Sequence, residues 1–325
     1  MTNFSGFRSM DKLDIVIIRE MSQAQSVLPA KVGLRSSYRE MAKKLGVSPG
    51  TIRNRVEKMY SSGIVSGSSV YLNPSLLGLK GGAYALDVSP GSSKNHVVDR
   101  LRSMDGILFI HNFRGSLIGI QFVYENERAL KQRTDLFRAV ADSGKGIFSR
   151  VVFPSCTVAL SDPEWLLISH LLRQTFGSYS QLGRELKISA RTVRRRLSRL
   201  LAARAILSVP TLNYRAILGA VPADLLVTFQ PSERTELEKR ILQIVGGHMV
   251  YLGAGEDFAV YNLFLPNVTM AADLANSVSR LGGVTSARVE LVDEHCDVTS
   301  RLWSYFENLR RAGSRNDERY EEITL

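Results

Sequence analysis

Apolar positions recur along the chain at two spacings, and the spacings alternate in blocks. Leu13, Val16, Ile17 and Met21 fall at i, i+3, i+4 and i+8, the stripe of a helix buried on one face. Met41 and Leu45 share a face of a second, short helix, and the capping box Ser37-x-x-Glu40 predicts its start at Ser37. Ser48 and Pro49 open a third helix whose apolar stripe is Ile52, Val56 and Met59. Two short helices joined by a tight turn predict a helix-turn-helix, with 64–72 able to form a β-hairpin wing. Further on the period becomes two: Ile118, Ile120 and Phe122 share one side of a strand. Strands are predicted at 83–88, 107–113, 117–124 and 147–153, with helices at 94–104 and 127–141 between them. That order, β-α-β-β-α-β, is the ferredoxin-like motif.

The whole pattern occurs twice. Ser37-Tyr38 returns as Ser178-Tyr179, and the same offset carries Leu45 to Leu186, Ser48 to Ser189, Thr51 to Thr192 and Arg53 to Arg194. It also carries Arg55 to Arg196, Gly78 to Gly219 and Asn126 to Asn267. A register held over so much chain marks a duplication of one large unit, not a short solenoid repeat. In the second copy Trp165, Ile168, Leu171 and Leu172 form the first stripe, behind Asp162 as N-cap and Pro163. Ser178-x-x-Gln181 caps the second helix, and Ser189 opens the third, with Val193, Leu197 and Leu200 buried. A wing segment at 206–212 follows, then strands at 223–229, 249–252, 258–264 and 284–292 with helices at 233–245 and 270–281. The first copy carries a longer segment at 23–36, read as a surface loop. A C-terminal helix is predicted over 296–311, with Leu302, Phe306 and Leu309 on one face and a polar tail from Ala312. The fold class is thus α+β, with helix-turn-helix units at 1–70 and 156–212, ferredoxin-like units at 71–155 and 213–295, and a tail at 296–325.

Charge sharpens this picture. The chain of 325 residues carries a net charge of +11. Residues 36–67 hold six basic and two acidic residues, and 178–204 hold eight basic and one acidic, so these segments account for the entire surplus. The rest is neutral on balance. Basic residues clustered on two matching helices are the footprint of a nucleic-acid reader, with duplex DNA as the expected partner. Side chains near the start of the third helix reach base edges in such units. In the first copy these are Ser48, Pro49, Gly50, Thr51, Arg53 and Asn54, with Tyr38 and Lys58 beside them. In the second they are Ser189, Arg191, Thr192, Arg194 and Arg195, with Tyr179 and Arg199. Arg55 and Arg196 adjoin the apolar stripe and are read as braces or phosphate grips. Two cysteines exclude a disulfide scaffold and suit a reducing cytosol, and no window is apolar enough to span a membrane.

These residues resemble the Lrp/AsnC (feast/famine) family of transcription regulators. The resemblance rests on Met10-Asp-Lys-Leu-Asp14, on 38–48 (Tyr38 to Ser48), on Thr51-Ile-Arg-Asn-Arg55-Val56, on Ser62-Gly-Ile-Val65 and on 72–78; the second copy repeats it more loosely, to Gly219. It implies a winged helix, a linker strand, and a ferredoxin-like domain that self-associates and takes a small-molecule effector such as an amino acid. The implied effector loop has a Gly followed by an Asp. The first copy offers Gly115 with no acid, and the second offers Gly255 and Asp257. Family members typically hold one such unit, so the fused copies predict either an intrachain pseudo-dimer or a homodimer with four readers. Lys187 stands where Gly46 does, a costly exchange if that turn position is left-handed.

No nucleophile elbow, Walker loop, dinucleotide fingerprint or paired Cys/His spacing appears, so the sequence assigns no catalytic residue, no cofactor and no metal. Glu294-His295-Cys296-Asp297 is the one dense run of potential ligands, and His111 is read as a structural histidine. Two alternatives to a sequence-reading regulator remain. One is an architectural protein held by phosphate contacts. The other is a tetrapyrrole enzyme similar to sirohaem decarboxylases, suggested by His111-Asn112-Phe113-Arg114 and Tyr261-Asn262-Leu263.

Overall fold

The computed structural model describes residues 9–23, 35–156, 158–173, 178–230 and 234–307. The first copy runs α1 (Lys12–Gln23), α2 (Arg35–Leu45), α3 (Pro49–Ser61), β1 (Val65–Leu72), β2 (Lys80–Asp87), α4 (Lys94–Arg102), β3 (Ile107–Phe113), β4 (Leu117–Tyr124), α5 (Glu127–Ala141) and β5 (Gly146–Val151). The second repeats it as α6 (Asp162–Arg173), α7 (Tyr179–Glu185), α8 (Ala190–Ala202), β6 (Ile206–Leu212), β7 (Val221–Phe229), α9 (Arg234–Val245), β8 (Met249–Ala254), β9 (Phe258–Leu265), α10 (Thr269–Ser279) and β10 (Val284–Asp297).

Side-chain caps explain most helix starts. Asp11 accepts the amides of Leu13 and Asp14 at 3.0 and 3.1 Å, and Asp14 accepts the amide of Asp11 in return. Ser48, Ser178 and Ser189 cap α3, α7 and α8 by accepting the amides of Thr51, Gln181 and Thr192. Two expected starts shift. Helix α2 begins at Arg35, with nothing in Arg35-Ser36 to break it, so Ser37 lies inside the helix. Asp162 is the first residue of α6, and its cap is Ser161, whose amide and hydroxyl both donate to Glu164. Of the segment expected as a surface loop, 24–34 lies outside the described residues.

The hairpin wings do not form. Each copy has a single strand after its third helix, because Asn73-Pro74 and Asn213 turn the chain into 3-10 turns at Pro74–Leu77 and Tyr214–Ala216. The missing partner comes from the other copy: β1 and β6 pair antiparallel, Val65 opposite Leu212 and Leu72 opposite Ile206. This ribbon obeys an internal two-fold. Asn73 N–H donates to Ala205 and Asn213 N–H donates to Ile64, each at 2.9 Å.

The remaining strands form one sheet in the order β5-β2-β4-β3-β10-β7-β9-β8. Strand β10 stitches the two halves. Its residues 284–291 pair with β7 and residues 292–297 with β3, across an irregularity at Val292–Glu294. A bridge between Val151 and Gly255 then joins the outer strands' ends, so the sheet curls toward a barrel. Gly255 is needed there, since a Cβ would lie 2.1 Å from the Arg150 carbonyl oxygen. Helices α4 and α5 cover the outside of the first half over Leu101, Phe122 and Phe137; α9 and α10 cover the second over Ile241, Tyr261 and Leu274. The C-terminal helix also departs from expectation. Cys296 and Asp297 end β10, where Cys296 lies opposite Ile110, and Asp297 caps Thr299. A helical turn follows at 302–307. Residues 308–311 of the expected helix lie outside the described residues.

Each three-helix unit sits on the other copy's half of the sheet. The core of α1–α3 includes Val250 and Phe264, whereas that of α6–α8 includes Leu108 and Val123, with Leu302 and Phe306. The duplication is therefore interlocked. Among the described residues no helix is long and apolar enough to cross a membrane.

Candidate nucleic-acid interface and the polar seam

Helices α3 and α8 bury one face each, Ile52, Val56 and Met59 on one and Val193, Leu197 and Leu200 on the other. Helical periodicity then turns Pro49, Gly50, Arg53, Asn54 and Lys58 outward, and likewise Arg191, Arg194, Arg195 and Arg199. All of these are exposed. Ser48 and Thr51 are engaged with each other, hydroxyl to hydroxyl at 2.9 Å, and Ser189 with Thr192 likewise, so their first task is to cap. Tyr38 and Tyr179 pack half-buried against their units' cores, beside Arg53 and Arg194 respectively. Burial raises the pKa of both phenols. Among the described residues Arg53, Lys58, Arg191, Arg194 and Arg195 make no ion pair.

Two arginines have structural partners. Arg55 reaches back to the start of α1, donating to Asp11 at 2.5 Å and to Asp14 at 3.0 Å. In the second copy Glu164 stands where Asp14 does, and the brace comes from Arg199, one turn beyond Arg196. Burial alone would raise the Glu164 pKa, but bonds from Arg199 and Ser161 outweigh it and hold the carboxyl low. Arg199 is thus committed to a carboxylate that is 3% exposed, although its own side chain remains half exposed.

The expected effector residues are not brought together. Gly115, at φ 88°, turns between β3 and β4, and Lys94 Nζ donates to the carbonyls of Phe113 and Gly115. Gly255 is used in the bridge to Val151, and its carbonyl accepts from Arg234 at 2.7 Å. Asp257 is exposed and accepts the Phe229 amide through its backbone oxygen. None of the three lines the cavity inside the curled sheet, which measures about 200 Å³.

That cavity holds a polar centre. Asp224 on β7, His111 on β3 and His295 on β10 converge at the seam, with side chains 1%, 22% and 16% exposed. Asn262 Nδ2 donates to Asp224 Oδ1 at 2.5 Å, and Tyr214 Oη lies 2.8 Å from His295 Nδ1. The Asp224 carboxyl lies below the usual carboxylate range: burial pushes it up, and the two imidazoles pull it down further. Burial and the neighbouring His111 lower the His295 pKa, and burial raises that of Tyr214. Residue-by-residue reading missed this group, because its members are 71 and 113 residues from Asp224 in the chain. His111 and His295 stood out singly in the sequence, but the signal that could have joined them was Asp224, an acid inside the apolar run Ala223 to Phe229.

Residues 10–59 match the AsnC-type helix-turn-helix domain. The chain is 30% identical over 107 residues to the HTH-type transcriptional regulator Ptr1 of Methanocaldococcus jannaschii, covering 33% of this chain and 66% of that one. It is 37% identical over 86 residues to the regulatory protein AsnC of Escherichia coli K12, covering 26% of this chain and 56% of that one. The matches thus span slightly under two thirds, or less, of these relatives' lengths. Among solved structures, the sirohaem decarboxylase NirDL shares the fold over 94% of this chain and all of its own, at TM-score 0.53 and 14% identity. The chain thus carries an AsnC-type helix-turn-helix domain at residues 10–59, and the same order of elements recurs behind it.

Proposed function

We propose that the protein is a transcription regulator that binds duplex DNA through α3 and α8 together. The observation that carries this reading is the ribbon β1–β6, which relates two exposed basic helices by an internal two-fold within one chain. Two-fold related recognition helices suit two half-sites separated by about one helical turn of DNA. On this reading Arg53, Asn54, Arg191, Arg194 and Arg195 face the groove, while Lys58 and the two tyrosines flank it. The arginines suit guanine edges or phosphates, and Asn54 suits adenine. The four-unit division and association of two chains into a four-reader assembly belong to this proposal. So does a small-molecule effector, although Gly115, Gly255 and Asp257 form no common pocket for one.

The catalytic alternative has two observations in its favour, the histidines at the cavity and a fold shared with the sirohaem decarboxylase NirDL over 94% of the chain. Against it, about 200 Å³ falls below the roughly 300–1,000 Å³ of ordinary small-molecule sites, and a macrocycle needs more. We therefore read the protein as a non-enzyme that resides with DNA in the cytoplasm. Titration of specific and scrambled duplexes across salt tests the proposal. A sequence-dependent affinity with a steep salt slope supports it, equal affinities with the same slope leave the architectural reading, and a Soret shift with a tetrapyrrole but no DNA affinity reverses it.

A further inference from the structure

The atoms that face one another at the seam form a nearly equilateral triangle. His111 Nδ1 lies 3.0 Å from His295 Nε2, and each nitrogen lies 3.2 Å from Asp224 Oδ2. Hydrogen bonds alone satisfy this arrangement poorly. The ionised carboxylate only accepts, and each ring nitrogen carries at most one proton. Two protons must then both point at Oδ2, which leaves two N–H groups side by side across 3.0 Å. If only one nitrogen is protonated, one edge of the triangle brings two lone pairs together. The same spacing is natural for three lone pairs aimed at one cation. An ion at about 2.0–2.1 Å sets its ligands about 3.0 Å apart on an octahedral face and about 3.3 Å apart in a tetrahedron. The observed edges lie between these values.

We propose that His111, Asp224 and His295 bind one divalent transition-metal ion, of the zinc, iron(II) or cobalt(II) type. Two imidazoles and one carboxylate suit this class better than calcium or magnesium, which take oxygen ligands. The surrounding groups are arranged as such a site requires. Asn262 occupies Oδ1 and leaves Oδ2 to face the ion, while Tyr214 holds His295 Nδ1 so that Nε2 points inward. His111, Asp224 and Asn262 border the internal cavity, so further coordination positions open toward it, for water or a small ligand. The site occurs once per chain, since the duplication places Ala83 where Asp224 stands. Its ligands come from both copies, and a bound ion clamps the two halves of the sheet across β10. Tyr214 also packs against the core of α1–α3, which links the ion's surroundings to one helix-turn-helix unit. The inference does not depend on DNA binding.

The test uses the tag-free full chain, stripped with a chelator and titrated with Co²⁺. Visible d–d absorption reports coordination, and metal analysis after gel filtration reports stoichiometry. We expect one Co²⁺ per chain with micromolar or tighter affinity, displaced by Zn²⁺, and a thermal midpoint that rises with metal concentration. The double variant His111→Ala/His295→Ala should abolish the absorption. Tyr214→Phe, which keeps all three ligands, should weaken binding about 10-fold. A stripped wild-type chain that takes up neither Co²⁺ nor Zn²⁺ overturns the proposal, and so does binding that survives the double variant unchanged. If the double variant fails to fold, the wild-type stoichiometry and the Tyr214→Phe shift decide.

Discussion

The two three-helix units share a fold and a register but hold themselves together with different residues. In the first, Arg55 joins α3 to a pair of aspartates at the start of α1. In the second, a glutamate replaces one aspartate and a serine the other, and the longer acid is met one turn further on by Arg199. The equivalent of Arg55, Arg196, makes no ion pair among the described residues. Two turn positions differ in the same direction. Gly46 and Gly63 have φ of 67° and 74°, and their counterparts Lys187 and Arg204 keep the left-handed conformation at 54° and 56°. The second unit has placed charge where the first has conformational ease, and it has added arginines on its outer face. The comparison teaches that in this duplicated unit the position of the brace moves between copies while the positions of the buried stripe do not. It also separates the basic residues that hold the fold from those that make no ion pair among the described residues.

The largest expected effect tests that separation. Replacing Arg191, Arg194 and Arg195 together by Ala should flatten the slope of log K against log salt by about 3, one for each phosphate lost. Arg53→Ala with Lys58→Ala in the first unit should flatten it by about 2 on the same duplex. Equal and negligible changes would remove both helices from the interface. A loss confined to one unit would leave a single reader and a purely structural copy.

Next in size is the brace. Arg199→Ala leaves the Glu164 carboxylate buried with only Ser161 as partner, at a cost of about 1–3 kcal/mol. Arg196→Ala should cost under about 0.5 kcal/mol, as surface changes do. In the first unit the order reverses, with Arg55→Ala costly and Lys58→Ala nearly neutral. Hydrogen exchange of the α8 and α3 amides resolves the two units within one chain. If Arg199→Ala instead leaves α8 protection intact and flattens the salt slope, Arg199 belongs with the DNA contacts. The brace also carries a pH signature. A carboxyl held below its ordinary range stabilises the fold above that range and loses the contribution as pH falls through the lower, folded value. The α8 amides should therefore lose protection below about pH 4.3, and Glu164→Gln should remove that part of the acid response.

Much of this was legible in the sequence, for a reason the fold makes plain. Periodicity and caps are local, so the bounds of β3, β4 and α5 and the starts of α3 and α8 fall where the pattern puts them. What escaped was pairing between distant segments. The strands 65–72 and 206–212 look like two wings until their partners are known, because either reading buries the same apolar residues. Likewise the run at 294–297 reads as a strand-to-helix junction, with a helix opening at Cys296. Only its ladder with β3 makes it a strand and carries His295 to His111. The outward arginines of α8 were readable as a set, but the commitment of Arg199 to Glu164 required the packing of α8 against α6.

The smallest effect concerns the turns. A non-glycine residue in the left-handed region costs on the order of 1 kcal/mol, so Lys187→Gly should stabilise the second unit by about that amount or less. Part of the gain is lost because glycine also loosens the unfolded chain. Gly46→Ala, at the matching position, should destabilise the first unit by a similar amount, with no clash, since a Cβ there meets nothing within 4 Å. The steric surroundings are thus controlled, and only backbone conformation differs. Lys187→Gly also removes one positive charge beside α8, so its effect on DNA affinity runs opposite to its effect on stability. Lys187→Asn removes the same charge without glycine's loosening of the unfolded chain, because asparagine also tolerates the left-handed region. If both variants stabilise the unit and both weaken DNA binding, then Lys187 is kept for its charge despite its strain. If DNA binding is unchanged in both, the left-handed lysine serves no contact, and the second unit's extra charge lies in its helix alone.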